Sequence, residues 1–482
     1  MNVSSGMSDA SSRRLSAAVG IRVRRQRFSI LLASVSLFCV VSSADAETLP
    51  GALIKAYRNN PSLNAQRAGT RASDENVPIA NSGYLPHATA TGNVGFQYFN
   101  AAGGGARGVS GTTETTPRGV GLQVTQTLFD GFRTPNSIRQ AESNVFGSRE
   151  TLRNTEQSIL QSAAQSYMDV LRDTATLELR NSNIKVLDEQ LRQTQDRFKV
   201  GEVTRTDVAQ GEAGLAGARA DFYTAQANLQ NSIASFRQVV GEQPTRLEPA
   251  KPIEKGLPTS LAAAISISQV EHPNVQAALH NVDVAELQVK IAEGALYPTV
   301  SVSGSVAQNY DVQNVPGTSA FTGFVGGSVS VPIYEGSAPY ATIRQAKENL
   351  GQARFQADVV RDQVRAAVIS AWGLLESSKI IVQSDQSSVN ASEIALNGVR
   401  EEARVGQRTT LDVLNAQQTL LNSRVALVSA QRDRVVASYA VLSSIGRLST
   451  TLLGLRVNQY NPVVHFEQVK DKWFGLRTPD GR

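Results

Sequence analysis

The chain is almost without cysteine: its one example, Cys39, lies in an N-terminal stretch that carries the marks of an export signal. A mature form would therefore hold none, which excludes disulfides, a thiol nucleophile and thiolate metal ligation. Histidine is nearly as scarce. His87, His272, His280 and His465 are scattered without metal-ligand spacing. There is no nucleophile elbow and no phosphate loop, since Gly103-Gly104-Gly105 lacks the Gly-Lys-Ser/Thr that would have to follow. No catalytic residue, metal site or cofactor is expected. Charge excess is also missing. The formal charge is +5, but residues 1–46 hold six arginines against Asp9 and Asp45, and without them it falls to +1. The basic balance belongs to the leader and implies no nucleic-acid partner. Finally, after Val41 no apolar run approaches the ~18 residues of a membrane-spanning helix.

The leader itself reads clearly. Arg22, Arg24, Arg25 and Arg27 precede an apolar run from Phe28 to Val41, and Ala44-Asp45-Ala46 supplies a small-residue cleavage site. Residues 1–46 are expected to be a cleaved signal peptide. Phe38 stands before Cys39, where lipoprotein processing needs a small residue, which argues against lipidation. An exported chain with no spanning helix is either soluble beyond the inner membrane or crosses an outer membrane as β-strands.

What is present is a repeat. RFKVGEVTRTDV from Arg197 and EARVGQRTTLDV from Glu402 are 205 residues apart, and the same offset relates Gly131 to Gly336, Arg139-Gln140-Ala141 to Arg344-Gln345-Ala346, and Gly241 to Gly446. Upstream the offset becomes 212, matching Asn60-Pro61 with His272-Pro273 and Pro86 with Pro298. The register change places an indel, hence a loop, between about residues 86 and 129. Two copies of one unit follow: residues 47–250 and 251–446, with 447–482 as a C-terminal tail without a repeat partner.

Each copy is expected to run helix, two strands, long helix, long helix. Val170, Leu177, Ile184, Leu191 and Phe198 recur every seven residues, and Leu375, Val382, Val389, Leu396 and Ala403 fall at the matching positions. A sustained heptad in Ala-, Gln- and Leu-rich sequence predicts long coiled-coil-like hairpins, with helices over 133–200 and 204–240, then 337–404 and 409–446. The strands are expected at about 86–99, 118–129, 298–310 and 323–333. Val300, Val302 and Val306 alternate with Ser301, Ser303 and Ser305, while Val120, Leu122 and Val124 alternate with Gly119, Gly121 and Gln123. Residues 84–132 and 297–340 hold 12 of the 28 aromatics in under a fifth of the chain, as interfacial girdles would. Four strands cannot close a barrel, and an open edge in lipid is forbidden, so at least two chains must share one. Two would give eight strands and a filled interior; three would give twelve and a channel.

With the tandem halves, the strand ends Leu128-Phe129-Asp130-Gly131 and Ile333-Tyr334-Glu335-Gly336, and the two Val-Gly tips, nearly all of the mature chain resembles the TolC family of trimeric outer-membrane efflux and secretion channels. The resemblance implies a mainly α fold with a membrane β-barrel portion: a homotrimer with one 12-stranded barrel in outer-membrane lipid, continued by an α-helical tunnel (an α-barrel) across the periplasm. It implies an exit channel, not an enzyme, that works with a periplasmic adaptor protein and an inner-membrane efflux pump or ABC exporter. Val200, Gly201, Val405 and Gly406 match the positions where the family meets its adaptor. Thr206 and Asp207 match partners in the closed gate, Arg408 the arginine that bonds back to them, and Asp412 the first constriction aspartate. Two positions depart from the pattern: the family's linking tyrosine falls at Ala403, and its second constriction aspartate at Asn415. The alternative from another class is a non-transporting periplasmic coiled-coil scaffold, which would be water-soluble once mature.

Overall fold

The protein is described by a computed structural model covering residues 47–101 and 111–481. The leader and the tip of the first strand loop lie outside the described residues. No helix among those described is long and apolar enough to cross a membrane.

The first repeat opens with α1 (Leu49–Asn59), α2 (Pro61–Asp74) and α3 (Asn76–Asn81). The Asn-Pro pair explains the first break. A residue before proline is pushed out of the helical region, and Asn60 sits at φ −64°, ψ 122°. Pro61 then takes the first helical position, where its missing N–H costs nothing, and the Asn60 side chain accepts from Ser62 N and Leu63 N at 2.9 and 3.2 Å. Strands β1 (His87–Val94), β2 (Gln97–Ala101), β3 (Gly111–Thr115) and β4 (Arg118–Phe129) follow, then the long helices α4 (Arg133–Lys199) and α5 (Arg205–Val240). The second repeat follows the same course through α6 (Leu261–Glu271), α7 (Pro273–Gly294), β5 (Thr299–Tyr310), β6 (Ser319–Ser330), α8 (Ala338–Arg404) and α9 (Thr410–Ser444). His272, at φ −69° and ψ 126°, performs at its junction the task of Asn60, accepting from Asn274 N through Nδ1 at 3.1 Å.

Two strand boundaries differ from the sequence reading. The segment expected at 86–99 is two strands, because Gly95 and Phe96 leave the ladder, and β2 pairs with β3 in a separate two-stranded sheet. The strand expected at 323–333 begins at Ser319 and ends at Ser330. Its apolar continuation, Val331 to Ile333, interrupted by Pro332, is not strand.

The main sheet is antiparallel in the order β1-β4-β5-β6, and the β4–β5 pair joins the two repeats. Its register sorts the side chains. Leu122 lies opposite Val306, Val300 opposite Val329, and Gly304 opposite Val325 on one face. Thr91 opposite Gly121, Gln123 opposite Ser305, and Ser301 opposite Ser328 lie on the other, where the two serine hydroxyls are 2.8 Å apart. Phe324, opposite Ser305, is the large apolar exception on the polar face. Among the described residues neither β1 nor β6 has a second partner strand.

The two 67-residue helices, α4 and α8, are each about 100 Å long at 1.5 Å per residue. α4 packs along α5, and α8 along α9. The heptad stripe faces these partners: Leu187 with Ile184 and Leu191 meets Leu215 and Ala218, and Val389 with Leu396 meets Leu420. Midway along the long helices the packing thickens into the main core. Leu53 of α1, Leu160 and Tyr167 of α4, Phe236 of α5, and Leu442 of α9 are fully buried there. The tail joins this core through Leu448 and Leu455. It then forms α10 (Pro462–Val469), which packs on α2 with His465 Nδ1 2.8 Å from Asp74 Oδ2.

Candidate functional site

The backbones of the two hairpin tips are built alike. After α4, Gly201 takes φ 75°; after α8, Gly406 takes φ 79°. Only glycine adopts this left-handed region without strain, and it lets the last helical carbonyls find donors. Gly201 N donates to Phe198 O at 3.0 Å and Glu202 N to Arg197 O at 2.9 Å; Gly406 N donates to Ala403 O at 3.1 Å and Gln407 N to Glu402 O at 2.9 Å. Beside each glycine stands a bare valine, Val200 at 78% exposure and Val405 at 71%. A helix stop needs no apolar side chain in water, so this feature is not explained by termination alone.

The returning helices start with a second copied device that the sequence displays as Thr-x-x-Asp. Thr204 Oγ1 accepts from Asp207 N at 3.3 Å, and Asp207 Oδ2 accepts from Thr204 N at 2.9 Å. Thr409 and Asp412 repeat this at 3.2 and 2.9 Å. The hydroxyl and backbone N–H of Thr204 hold the Asp207 carboxyl below the usual carboxylate range. For Asp412 the backbone and hydroxyl of Thr409 do the same, with Arg408 adding its field. Both aspartates therefore stay ionised at neutral pH.

Charge also crosses each turn, with its sign reversed between the copies. Arg197 Nε donates to Glu202 Oε2 at 2.9 Å, whereas Arg408 Nε donates to Glu402 Oε2 at 2.8 Å. The neighbouring Glu402 carboxylate raises the Arg408 pKa further. Among the described residues Arg408 is thus paired inside its own turn, not with Thr206 or Asp207. Thr206 is exposed on the first turn of α5, and Asn415 is exposed on the first turns of α9. Sequence reading missed both turn-crossing pairs and both capping boxes. The pairs left no signal, because five- and six-residue spacings across a turn match no helical rule; the Thr-x-x-Asp pattern did.

The second hairpin is tied to the first a little way from the tips. Gln417 Nε2 donates to Asn183 Oδ1 at 3.4 Å, and Gln417 Oε1 accepts from Arg400 Nη2 at 2.9 Å. Leu414 packs against Leu187 and Leu215. Toward the core, Arg432 Nη2 reaches Asp169 Oδ1 at 2.8 Å. Between the hairpins lies a cavity of about 610 Å³ whose walls include Lys185, Arg197, Arg400 and Arg404, with Glu189 opposing them. Ala403, where the resemblance places a tyrosine, is part of its lining.

Known proteins share this arrangement. A family model described as "Outer membrane efflux protein" matches twice, over residues 53–242 and 264–447, one match in each repeat. The chain is 45% identical over 441 residues to the outer membrane efflux protein BepC of Brucella suis, covering 91% of this chain and 94% of that one. It is 25% identical to the outer membrane protein TolC of Escherichia coli, covering 87% of this chain and 86% of that one. Among solved structures, the CmeC outer membrane channel of Campylobacter jejuni superposes with a TM-score of 0.75 at 16% identity, over 88% of this chain and 89% of that one. Twin helical hairpins on a four-stranded sheet, matched across both repeats, place this chain in the outer membrane efflux protein family, as an exit channel of the outer membrane that reaches into the periplasm.

Proposed function

We propose that three copies of the chain close a single barrel of twelve strands and a continuous helical tunnel beneath it. The observation that carries this reading is the four-stranded sheet whose β1 and β6 edges are unpartnered. In hydrocarbon each free N–H or C=O costs several kcal/mol, so the edges must pair with another copy. The apolar face, with Leu122, Val306, Val325 and Val329, would meet lipid, and the Ser- and Thr-rich face the lumen. The duct itself is passive and performs no catalytic step; an inner-membrane efflux pump supplies the energy. The name of the BepC relative, an outer membrane efflux protein, favours efflux over protein export.

Val200-Gly201 and Val405-Gly406 would dock a periplasmic adaptor, six tips to a ring. Exposed valines on tightly capped turns support this, because they offer apolar contact on a rigid frame. Asp412, three to a trimer, would line the constriction, and an ionised ring in a narrow aqueous neck favours cations. The gate would be held by contacts between neighbouring chains at Thr206, Asp207, Arg408 and Asn415. Near the tips the second hairpin is tied back by the Asn183–Gln417 bond and the Leu414 contact, and further along by the Asp169–Arg432 pair, before α9 joins the main core. Opening would move this hairpin outward against those ties.

A deletion strain tests the efflux reading: it should become sensitive to dyes, bile salts and antibiotics, with an unchanged set of secreted proteins. Hypersensitivity absent and secretion lost would assign the channel to an exporter instead. For the gate, Asp207→Ala and Arg408→Ala should each make cells leaky to large antibiotics; two variants as tight as the parent would remove these residues from it.

A further inference from the structure

The C-terminal tail does not stop at the main core that it joins through Leu448 and Leu455; it runs on toward the sheet. Three contacts show the direction in order. Tyr460 N donates to Tyr57 Oη at the end of α1, His465 meets Asp74 at the end of α2, and the Lys470 carbonyl accepts from Asn81 Nδ2 at the end of α3. Asn81 is followed by a single 3-10 turn, Ser82–Tyr84, and β1 starts at His87. One such turn rises about 6 Å.

That level is marked by aromatics. Tyr84 precedes β1, Phe132 follows β4, Tyr297 precedes β5 and Tyr334 follows β6, and all four are exposed. Phe132 lies edge-on to both Phe129 and Tyr297, at 5.2 and 6.4 Å. Aromatic rings gathered at the same end of every strand of a membrane sheet mark the water–lipid boundary. Beyond Lys470 the chain turns back in a loop closed by Lys472 Nζ donating to the Arg477 carbonyl at 2.5 Å. The loop carries Trp473, Phe474 and Leu476 at 71%, 88% and 103% exposure, three bare apolar side chains within four residues. Three residues span at most about 10 Å, so the aromatic level is within the reach of Trp473, and the interfacial layer is itself about 5–8 Å deep. Lys470, Lys472 and Arg477 flank the group against one acid, Asp471.

We propose that this loop is an interfacial anchor: Trp473, Phe474 and Leu476 enter the periplasmic leaflet of the outer membrane beside the barrel, and Lys472 and Arg477 meet its anionic headgroups. The inference rests on the outer-membrane location. It gives the tail a task that helix packing alone does not, since α10 is already fixed to α2 without the loop. Indole is suited to the headgroup level, and flanking cations add attraction to anionic lipid.

The chain has two tryptophans, Trp372 and Trp473. The full-length assembly and its Trp473→Phe variant are reconstituted in phosphatidylethanolamine–phosphatidylglycerol vesicles, with and without lipid brominated near the headgroup. The emission that disappears in the variant belongs to Trp473. Bromolipid should quench that component at least about twofold, and trypsin should cut after Lys472 and Arg477 about tenfold more slowly than in the Trp473→Ser, Phe474→Ser, Leu476→Ser triple variant. An unquenched Trp473 component overturns the proposal, whether its emission is that of wet indole or of indole buried against a neighbouring chain. Equal cleavage rates overturn it as well. Vesicle flotation of the same samples reports the location separately: a chain that fails to float refutes membrane insertion as a whole, whereas one that floats with Trp473 unquenched refutes the anchor alone.

Discussion

His272 closes α6 and opens α7, and the residue is 7% exposed. Its Nδ1 accepts a hydrogen bond from Asn274 N–H, so that nitrogen must carry no proton. Burial, helped by the Arg153 guanidinium, pushes the imidazole pKa down to about 4. The other charges packed here are Glu271 and Arg447, which neutralise each other through two bonds of 2.7 and 2.6 Å. In the unfolded chain the ring titrates near 6.5. The unfolded state therefore binds the extra proton first as pH falls from about 6.5 toward 4. Stability is complete above the upper value, drains through that window, and loses no more from this group below it. A gap of about 2.5 pH units at ~1.4 kcal/mol per unit bounds the loss at about 3.5 kcal/mol per chain. The repeat supplies the control. Asn60 caps the equivalent junction with a side chain that does not titrate, so His272→Asn should keep the cap and remove the loss. Urea midpoints of the detergent-solubilised protein, taken from about pH 7 to about pH 4, measure it. The variant and parent should agree near neutrality and diverge on acidification, the variant being the more stable. Parallel curves over the whole range would refute the assignment of the acid sensitivity to this ring.

Two glycines with the same backbone should behave differently. A Cβ on Gly406 meets nothing within 4 Å, so Gly406→Ala should cost about 1 kcal/mol of left-handed strain and chiefly weaken adaptor capture. A Cβ on Gly446 would lie 2.7 Å from His272 Cα and 3.0 Å from Glu271 O, backbone atoms that cannot yield, and the assembly should melt markedly lower; equal melting of the two variants would contradict this. Tyr167→Phe removes a buried hydroxyl 2.7 Å from both Glu47 O and Glu248 O, and should cost about 1 kcal/mol in urea titration; no change would show those carbonyls to be satisfied elsewhere. In planar bilayers Asp412→Asn should reduce cation selectivity, because it removes the carboxylate yet keeps an acceptor for Thr409, whereas Thr409→Ala should leave selectivity intact; matched effects would reduce Asp412 to a helix cap.

Much of the architecture was readable before any coordinates because it is written in local periods. A heptad names the face of a helix, alternation names the face of a strand, and a Gly or X-Pro at a fixed offset names a turn; each needs only the chemistry of a few adjacent residues. The second-repeat match of Asn60-Pro61 by His272-Pro273 is such a case, since steric exclusion before proline acts wherever the pair occurs. What the chain order does not encode is which distant groups meet. Within one chain Arg408 binds Glu402, the carboxylate its own turn delivers, a pairing that the sequence spacing does not announce. The tail had no repeat partner to reveal its course, and its ascent along α2 and α3 follows from three contacts across 389 to 403 residues of sequence. Strand β6 stops at Ser330, opposite Thr299 where its partner β5 begins, and Pro332 just beyond cannot extend the ladder despite the apolar residues around it. Local sterics and periodicity act over a few residues and are the same in every fold; pairing depends on three-dimensional proximity, which only the packed chain supplies.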